Sequence, residues 1–145
     1  MGLDCSHNAW HGSYGAFMRW RKMVAKVAGL PPLELMEGFY EPLDIKTNEP
    51  GMSGKAYLGN INERLPISWD VLKPSPLHEL LYHSDCDGGI PAESCGHIAD
   101  ALETLIPMLP DEDVGGHIGN WRTKTQQFVN GLRAAEDAKE PLLFG

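Results

Sequence analysis

The stretch "LLYHSDCDGGIPAESC", residues 80–95, gathers His83, Asp85, Cys86, Asp87, Glu93 and Cys95 into one turn-rich run. Carboxylates around a glycine suit calcium, and imidazoles with thiols suit zinc. With Gly88 at the sharp turn of a twelve-residue calcium loop, Asp85 and Asp87 fall on ligand positions, but His83 stands first and Ser94 last. The opening carboxylate and the closing bidentate glutamate are therefore missing, because Glu93 comes one residue early. Cys95 and His97, if both on one helix, stand about 200° apart around its axis and cannot face one zinc ion. The local reading is simpler. Ser84, Asp85 or Asp87 accept from backbone amides, the glycines turn the chain, Glu93 suits the positive end of the next helix, and Cys86 and Cys95 pack as small core residues.

A second group of chemistry-bearing residues, "HNAWHGSY", supplies His7, Trp10, His11, Ser13 and Tyr14 just before a helix that carries Arg19, Arg21 and Lys22. Aromatic faces suit a base, and a helix N-terminus with nearby cations suits phosphate. The spacing of His7 and His11 also matches two metal ligands one helical turn apart, so an open hydrolytic site with Asp4, His83 or Asp85 stands as an alternative. No H-E-x-x-H, G-x-S-x-G, P-loop or G-x-G-x-x-G fingerprint is present, and Cys86 has no local nucleophile signature.

These groups are positioned by elements that local signals mark out. Residues 2–5 read as a short strand. Ser13 is a helix N-cap, Gly29 a C-terminal stop, and Pro31 and Pro32 forbid continuation, which predicts a helix over residues 13–28. Its apolar face is Phe17, Trp20, Val24 and Val27. Arg19, Lys22 and Lys26 form a basic stripe on another side, which reads as a solvated face, although such a stripe can hold a small anion. Residues 30–75 contain six of the eleven prolines and predict irregular structure, with a short hairpin around residues 56–69 and a role as a pocket wall.

Ser75 and Pro76 predict a short helix start. A further helix begins near Pro91 and stops before Pro107. Ile118, Trp121, Thr125, Phe128, Leu132 and Ala135 form the clearest apolar seam, which predicts a last helix over residues 117–138. The tail "EPLLFG" reads as an edge strand or an apolar plug.

The chain has 145 residues, enough for one self-supporting domain spanning 1–145. Its 12 basic residues against 20 acidic ones give a net charge of -8, which argues against general phosphate-backbone binding. Three cysteines cannot all pair within a monomer, and there is neither a leader pattern nor an apolar run of membrane-spanning length, so the expected location is the cytoplasm.

The opening "MGLDCSH" with the Ser-Tyr helix behind it, "EGF" at residues 37–39, the central "HSDCDG" and the closing "EPLLF" together resemble a family of small uncharacterised proteins of bacteriophages and prophages. The resemblance implies a host-cell cytoplasmic setting and an accessory role, such as countering host defence by capturing or cleaving nucleotide signals. It carries over no catalytic residues.

The resulting expectation is an α+β, mainly helical single domain with three to four helices and a small antiparallel sheet that joins the N-terminal strand to the tail. Its function is to sequester a small nucleotide-derived ligand. His7, Trp10, His11, Tyr14 and Arg19 form one wall, and His83, Asp85 and Asp87 supply polar contacts. No metal or other cofactor is expected, and a homo-oligomer forms through an exposed part of the C-terminal seam. The alternatives are a metal-dependent hydrolase of a nucleotide or phosphate ester, and a protein-interaction module without a small ligand.

Overall fold

A computed structural model describes residues 2–36, 67–83 and 87–145. The chain opens with an antiparallel hairpin of β1 (Gly2–Cys5) and β2 (Trp10–Ser13), in the register Gly2↔Ser13, Leu3↔Gly12, Asp4↔His11 and Cys5↔Trp10. Period-two alternation sends Leu3, Cys5 and Trp10 inward and leaves Asp4 and His11 outside. The hairpin tip is a tight 3-10 turn, Ser6–Asn8, closed by Ala9 N–H on Ser6 O at 3.2 Å. His7 and Asn8 both adopt left-handed backbone there, at φ 56° and 59°.

Helix α1, Tyr14–Val27, follows directly, and Ser13 Oγ accepts from Ala16 N–H at 3.1 Å as the expected N-cap. Beyond its end Gly29 has φ +74°, and Leu30 N–H closes back on Ala25 O. The side of α1 that faces the core carries Phe17, Trp20, Val24 and Ala25, and also Arg21, which is 1% exposed. Arg21 Nη1 donates to the carbonyls of Leu80, Leu81 and His83 at 3.3, 3.3 and 2.6 Å, and the guanidinium lies over the Phe17 ring. Leu80 and Leu81 lie in the last turn of α2 (His78–Tyr82) and His83 just beyond it, where helix carbonyls run out of intrahelical donors. Arg21 therefore supports the fold from inside, a role its grouping with ligand-facing cations does not foresee.

α2 itself begins three residues after the predicted cap. Ser75 Oγ accepts from Leu77 N–H, and Ser75 O from His78 N–H, so Ser75 and Pro76 build a turn that leads into the helix. The hairpin expected around residues 56–69 lies almost wholly outside the described residues. Only its last positions appear, where Ile67 bridges Met36 and Trp69 opens a 3-10 turn, Trp69–Leu72.

Helices α3 (Ala92–Leu105) and α4 (Trp121–Ala138) form an antiparallel pair. Arg133 Nη2 reaches Asp100 and Glu103 at 2.9 and 2.7 Å across the pair. Gly96 makes room for the Glu136 carboxylate, and Gly131 does the same for Ala9 of the hairpin tip. At the other end Arg122 donates to the carbonyls of Leu109 and Pro107, satisfying the end of α3 and its 3-10 extension, Ile106–Met108. α4 starts four residues later than the seam predicts, because Gly119 takes φ +63° and Asn120 is the cap, accepting from Arg122 and Thr123 N–H. The seam residues themselves are buried within the chain, from Ile118 through Ala135. They are used in intramolecular packing, which removes the seam as an oligomer surface.

The fold class is α+β and mainly helical, with four helices among the described residues. Instead of one sheet there are two small antiparallel ladders, β1–β2 and β3 (Gly89–Ile90) with β4 (Leu142–Leu143). A single bridge, Cys5↔Phe144, links them, and Gly145 N–H on Asp4 O extends it. The tail thus does join the N-terminal strand, as expected, while its own strand partner is β3. Trp10, Phe17, Trp20, Phe128 and Phe144 form the aromatic centre of the core, with ring centroids 4.8 to 6.3 Å apart. Trp20 Nε1–H finds Thr125 Oγ1 at 2.9 Å, so its one polar group is satisfied inside that centre. Among the described residues no helix is long and apolar enough to cross a membrane.

Candidate functional site

The hairpin register brings Asp4 and His11 together, with His11 Nδ1 2.8 Å from Asp4 Oδ1 and Nε2 against Asn8 Oδ1. His7 pairs with Glu140 at 3.2 Å. Trp10 is 0% exposed: Phe17 and Trp20 pack around it, and Lys124 Nζ occupies one face of its ring at 4.3 Å. It is a core residue and offers no face to a ligand. Tyr14 is half-buried against the same core. Lys124 also donates to His11 O, and burial lowers its pKa.

His83 does not stand across a cavity from this group. Its ring stacks on Phe144 at 4.2 Å, Nε2 lies 3.1 Å from Gly89 O, and its carbonyl receives Arg21. Phe144 in turn bridges Cys5 at the end of β1. The tail is therefore what connects the N-terminal segment to the loop after α2, through packing. Asp87 is exposed, whereas Asp85, Ser84 and Cys86 lie outside the described residues.

The thiols that are described fit the core reading. Burial, with a smaller contribution from Asp4, pushes the Cys5 thiol up to about 12. Burial also raises Cys95, whose Sγ–H points to Ile90 O at 3.7 Å. Both stay protonated at neutral pH and are poor nucleophiles. Among the described residues no three His, Cys, Asp or Glu side chains gather as a metal-binding group. On α3, Cys95 is buried and His97 exposed, the opposed placement that helical geometry requires.

A different part of the surface has the properties of a ligand site. A cleft of about 500 Å³ is lined by Arg19, Lys22, Met23 and Lys26 of α1, by Leu30, Pro32 and Glu34 of the segment after it, and by Trp121 at the start of α4. That size lies within the ~300–1,000 Å³ typical of small-molecule pockets. At about 100° per residue the three cations fall within roughly 60° of arc, and from Arg19 to Lys26 they extend about 10 Å along the axis. All three are exposed, and among the described residues none is paired with a carboxylate. The Arg19 guanidinium lies over the indole of Trp121, 5.5 Å from its centroid, which holds a flat cation at one wall.

Of the residues expected to contact the ligand, Arg19 alone lines this cleft. Lys22 and Lys26 belong with it, and the periodicity of α1 shows their common face. What periodicity does not show is the wall opposite, because Trp121 lies 102 positions away and reaches α1 only through the packing of α4. A second groove, about 380 Å³, carries His7 and Asn8 with Thr123, Gln126, Gln127 and Asn130. Its lining has no lysine or arginine, so it is poorly suited to phosphate. No protein-family model, curated protein or solved structure matches this chain.

Proposed function

We propose that this protein binds and sequesters a small nucleotide-derived ligand in the cleft between α1 and Trp121. The observation that carries the reading is the row Arg19, Lys22 and Lys26, three cations without carboxylate partners among the described residues, on a chain whose net charge is -8. Elsewhere among the described residues Lys73 and Arg133 are ion-paired, Arg21, Arg122 and Lys124 donate to backbone carbonyls, and Lys139 is in no ion pair, so what sets the row apart is three cations on one face. A concave row left unneutralised favours an anionic partner.

The helix dipole accounts for Lys26, which sits in the last turn of α1, but not for Arg19 or Lys22. Met23 and Leu30, both half-buried, supply the apolar surface that a base or sugar requires and simple anion binding would not, while Trp121 is buried beneath Arg19. In the phage setting implied by the sequence resemblance, such binding would withdraw a nucleotide signal from host defence.

The groups at the cleft are binding groups, and sequestration is separated from turnover by one experiment. Purified protein is incubated with a panel of mononucleotides and cyclic dinucleotides, denatured, and the released compounds are identified by mass spectrometry. Stoichiometric recovery of an intact nucleotide supports the proposal. A hydrolysed product replaces sequestration with catalysis, and no retained nucleotide removes the reading.

A further inference from the structure

We infer that the α1 cleft selects its ligand by phosphate number, taking nucleotides with two or more phosphates on one end, and that Glu34 closes the site to longer polyanions. This rests on the proposed function of the cleft and adds the ligand class to it.

Arg19 to Lys22 is three residues and Lys22 to Lys26 four, which places their backbone positions about 4.5 and 6 Å apart along the axis on one face. A single phosphate reaches all three cations only if Arg19 and Lys26 bend toward each other over about 10 Å of helix axis, whereas linked phosphates meet the row as it stands. The full row needs charge distributed along the ligand. Arg19, with its fork of donors fixed over Trp121, suits one phosphate bidentately, while the lysines act as point charges for the next.

Glu34 lines the same cleft and takes part in no ion pair among the described residues. A carboxylate at the wall of a cationic cleft repels an anionic chain that runs on past the row, yet accepts from amino and hydroxyl groups of a base or ribose. A continuous nucleic-acid backbone would have to pass it while also approaching an acidic protein. A nucleotide with its phosphates on the lysines and its nucleoside portion toward Glu34 meets neither obstacle. Binding energy in this arrangement divides into a charge increment from each phosphate and a smaller contribution from the nucleoside.

The test is calorimetric titration of the full chain with adenosine mono-, di- and triphosphate, inorganic triphosphate and a short single-stranded oligonucleotide. The inference expects affinity to rise about tenfold from mono- to diphosphate, the order contributed by one charged hydrogen bond. Lys22→Gln and Lys26→Gln, both exposed substitutions that leave the core intact, each lower diphosphate and triphosphate affinity by more than monophosphate affinity, so the increment shrinks. Glu34→Lys lets the oligonucleotide bind where the unaltered protein rejects it. Equal affinity for the three adenosine nucleotides overturns the phosphate-counting inference and leaves the proposed function standing. Inorganic triphosphate binding as tightly as the adenosine compound overturns the nucleoside half, and oligonucleotide binding to the unaltered protein overturns the role of Glu34. If no nucleotide binds at all, the proposed function fails with it.

Discussion

The imidazole of His83 lies stacked on the ring of Phe144, 4.2 Å between centroids and 28° between planes, and through that contact the loop after α2 is fixed to the C-terminal tail. Phe144 also meets Phe17 edge-on, and its backbone bridges Cys5, so one terminal residue joins α1, the N-terminal hairpin and the loop. Replacing a buried Phe by Ala costs about 3–5 kcal/mol in protein cores. Phe144→Ala is expected to cost about 3 kcal/mol, since its site lies near a chain end that relaxes more easily. Urea unfolding measures the loss, and a change below about 1 kcal/mol would show the tail to be incidental.

Arg21 is the second joint. Arg21→Met keeps much of the packing against Phe17 but leaves the carbonyls of Leu80, Leu81 and His83 without their guanidinium donor. The expected cost is about 1–3 kcal/mol, the penalty for unsatisfied buried polar groups. Arg19→Met, on the exposed face of the same helix, should change stability by less than about 0.5 kcal/mol. Equal effects at the two positions would contradict the division of α1 into a buried and a ligand-facing cation.

Two glycines on the α3–α4 pair should respond unequally to alanine. A Cβ at Gly131 would stand 2.3 Å from the Cβ and 2.6 Å from the Cα of Ala9, so backbone must move, and overpacking of this kind costs about 1–3 kcal/mol. A Cβ at Gly96 meets the Glu136 carboxylate, the far end of a flexible exposed side chain that can swing away. Gly96→Ala should therefore be close to neutral, helped by the better helix propensity of alanine. Thermal melts of the two variants distinguish them.

Alkaline pH should destabilise the fold through Cys5. Burial raises its folded pKa from 9.0 to about 12, so the unfolded chain loses the thiol proton first. The stabilising contribution is complete below pH 9 and is lost as the pH climbs from there toward 12, with a slope of up to about 1.4 kcal/mol per pH unit. Cys5→Ala should flatten this part of the stability profile. An unchanged slope would place the alkaline sensitivity in another group.

The elements that the sequence makes legible are those whose signals are local. Ser13 caps α1, Gly29 ends it, and Pro91 precedes α3, because each acts on backbone groups within a turn of itself. The period-3.6 seam of α4 marks its core face correctly and misplaces its start, since Ile118 is buried without being helical. Side-chain fates that depend on distant partners are not legible in the same way. Trp10 and Tyr14 read as a ligand wall or, the commoner use of large aromatics, as core, and Lys124 and Phe17 settle Trp10 as core. His83 reads as a polar contact until the tail, some sixty residues later, supplies Phe144. The cleft combines both kinds of information: its cations share a visible helical face, and its opposite wall depends on the packing of α4.

The central claim is that the α1 row holds the phosphates of a nucleotide, and charge reversal tests it most directly. Adenosine triphosphate is titrated by calorimetry into the unaltered protein and into the Lys22→Glu, Lys26→Glu double variant, whose helix content is checked by circular dichroism. Measurable one-to-one binding by the unaltered protein, reduced at least a hundredfold in a folded double variant, is the predicted result. Binding of equal strength to both proteins would contradict the account, because the nucleotide would then be held somewhere other than this cleft.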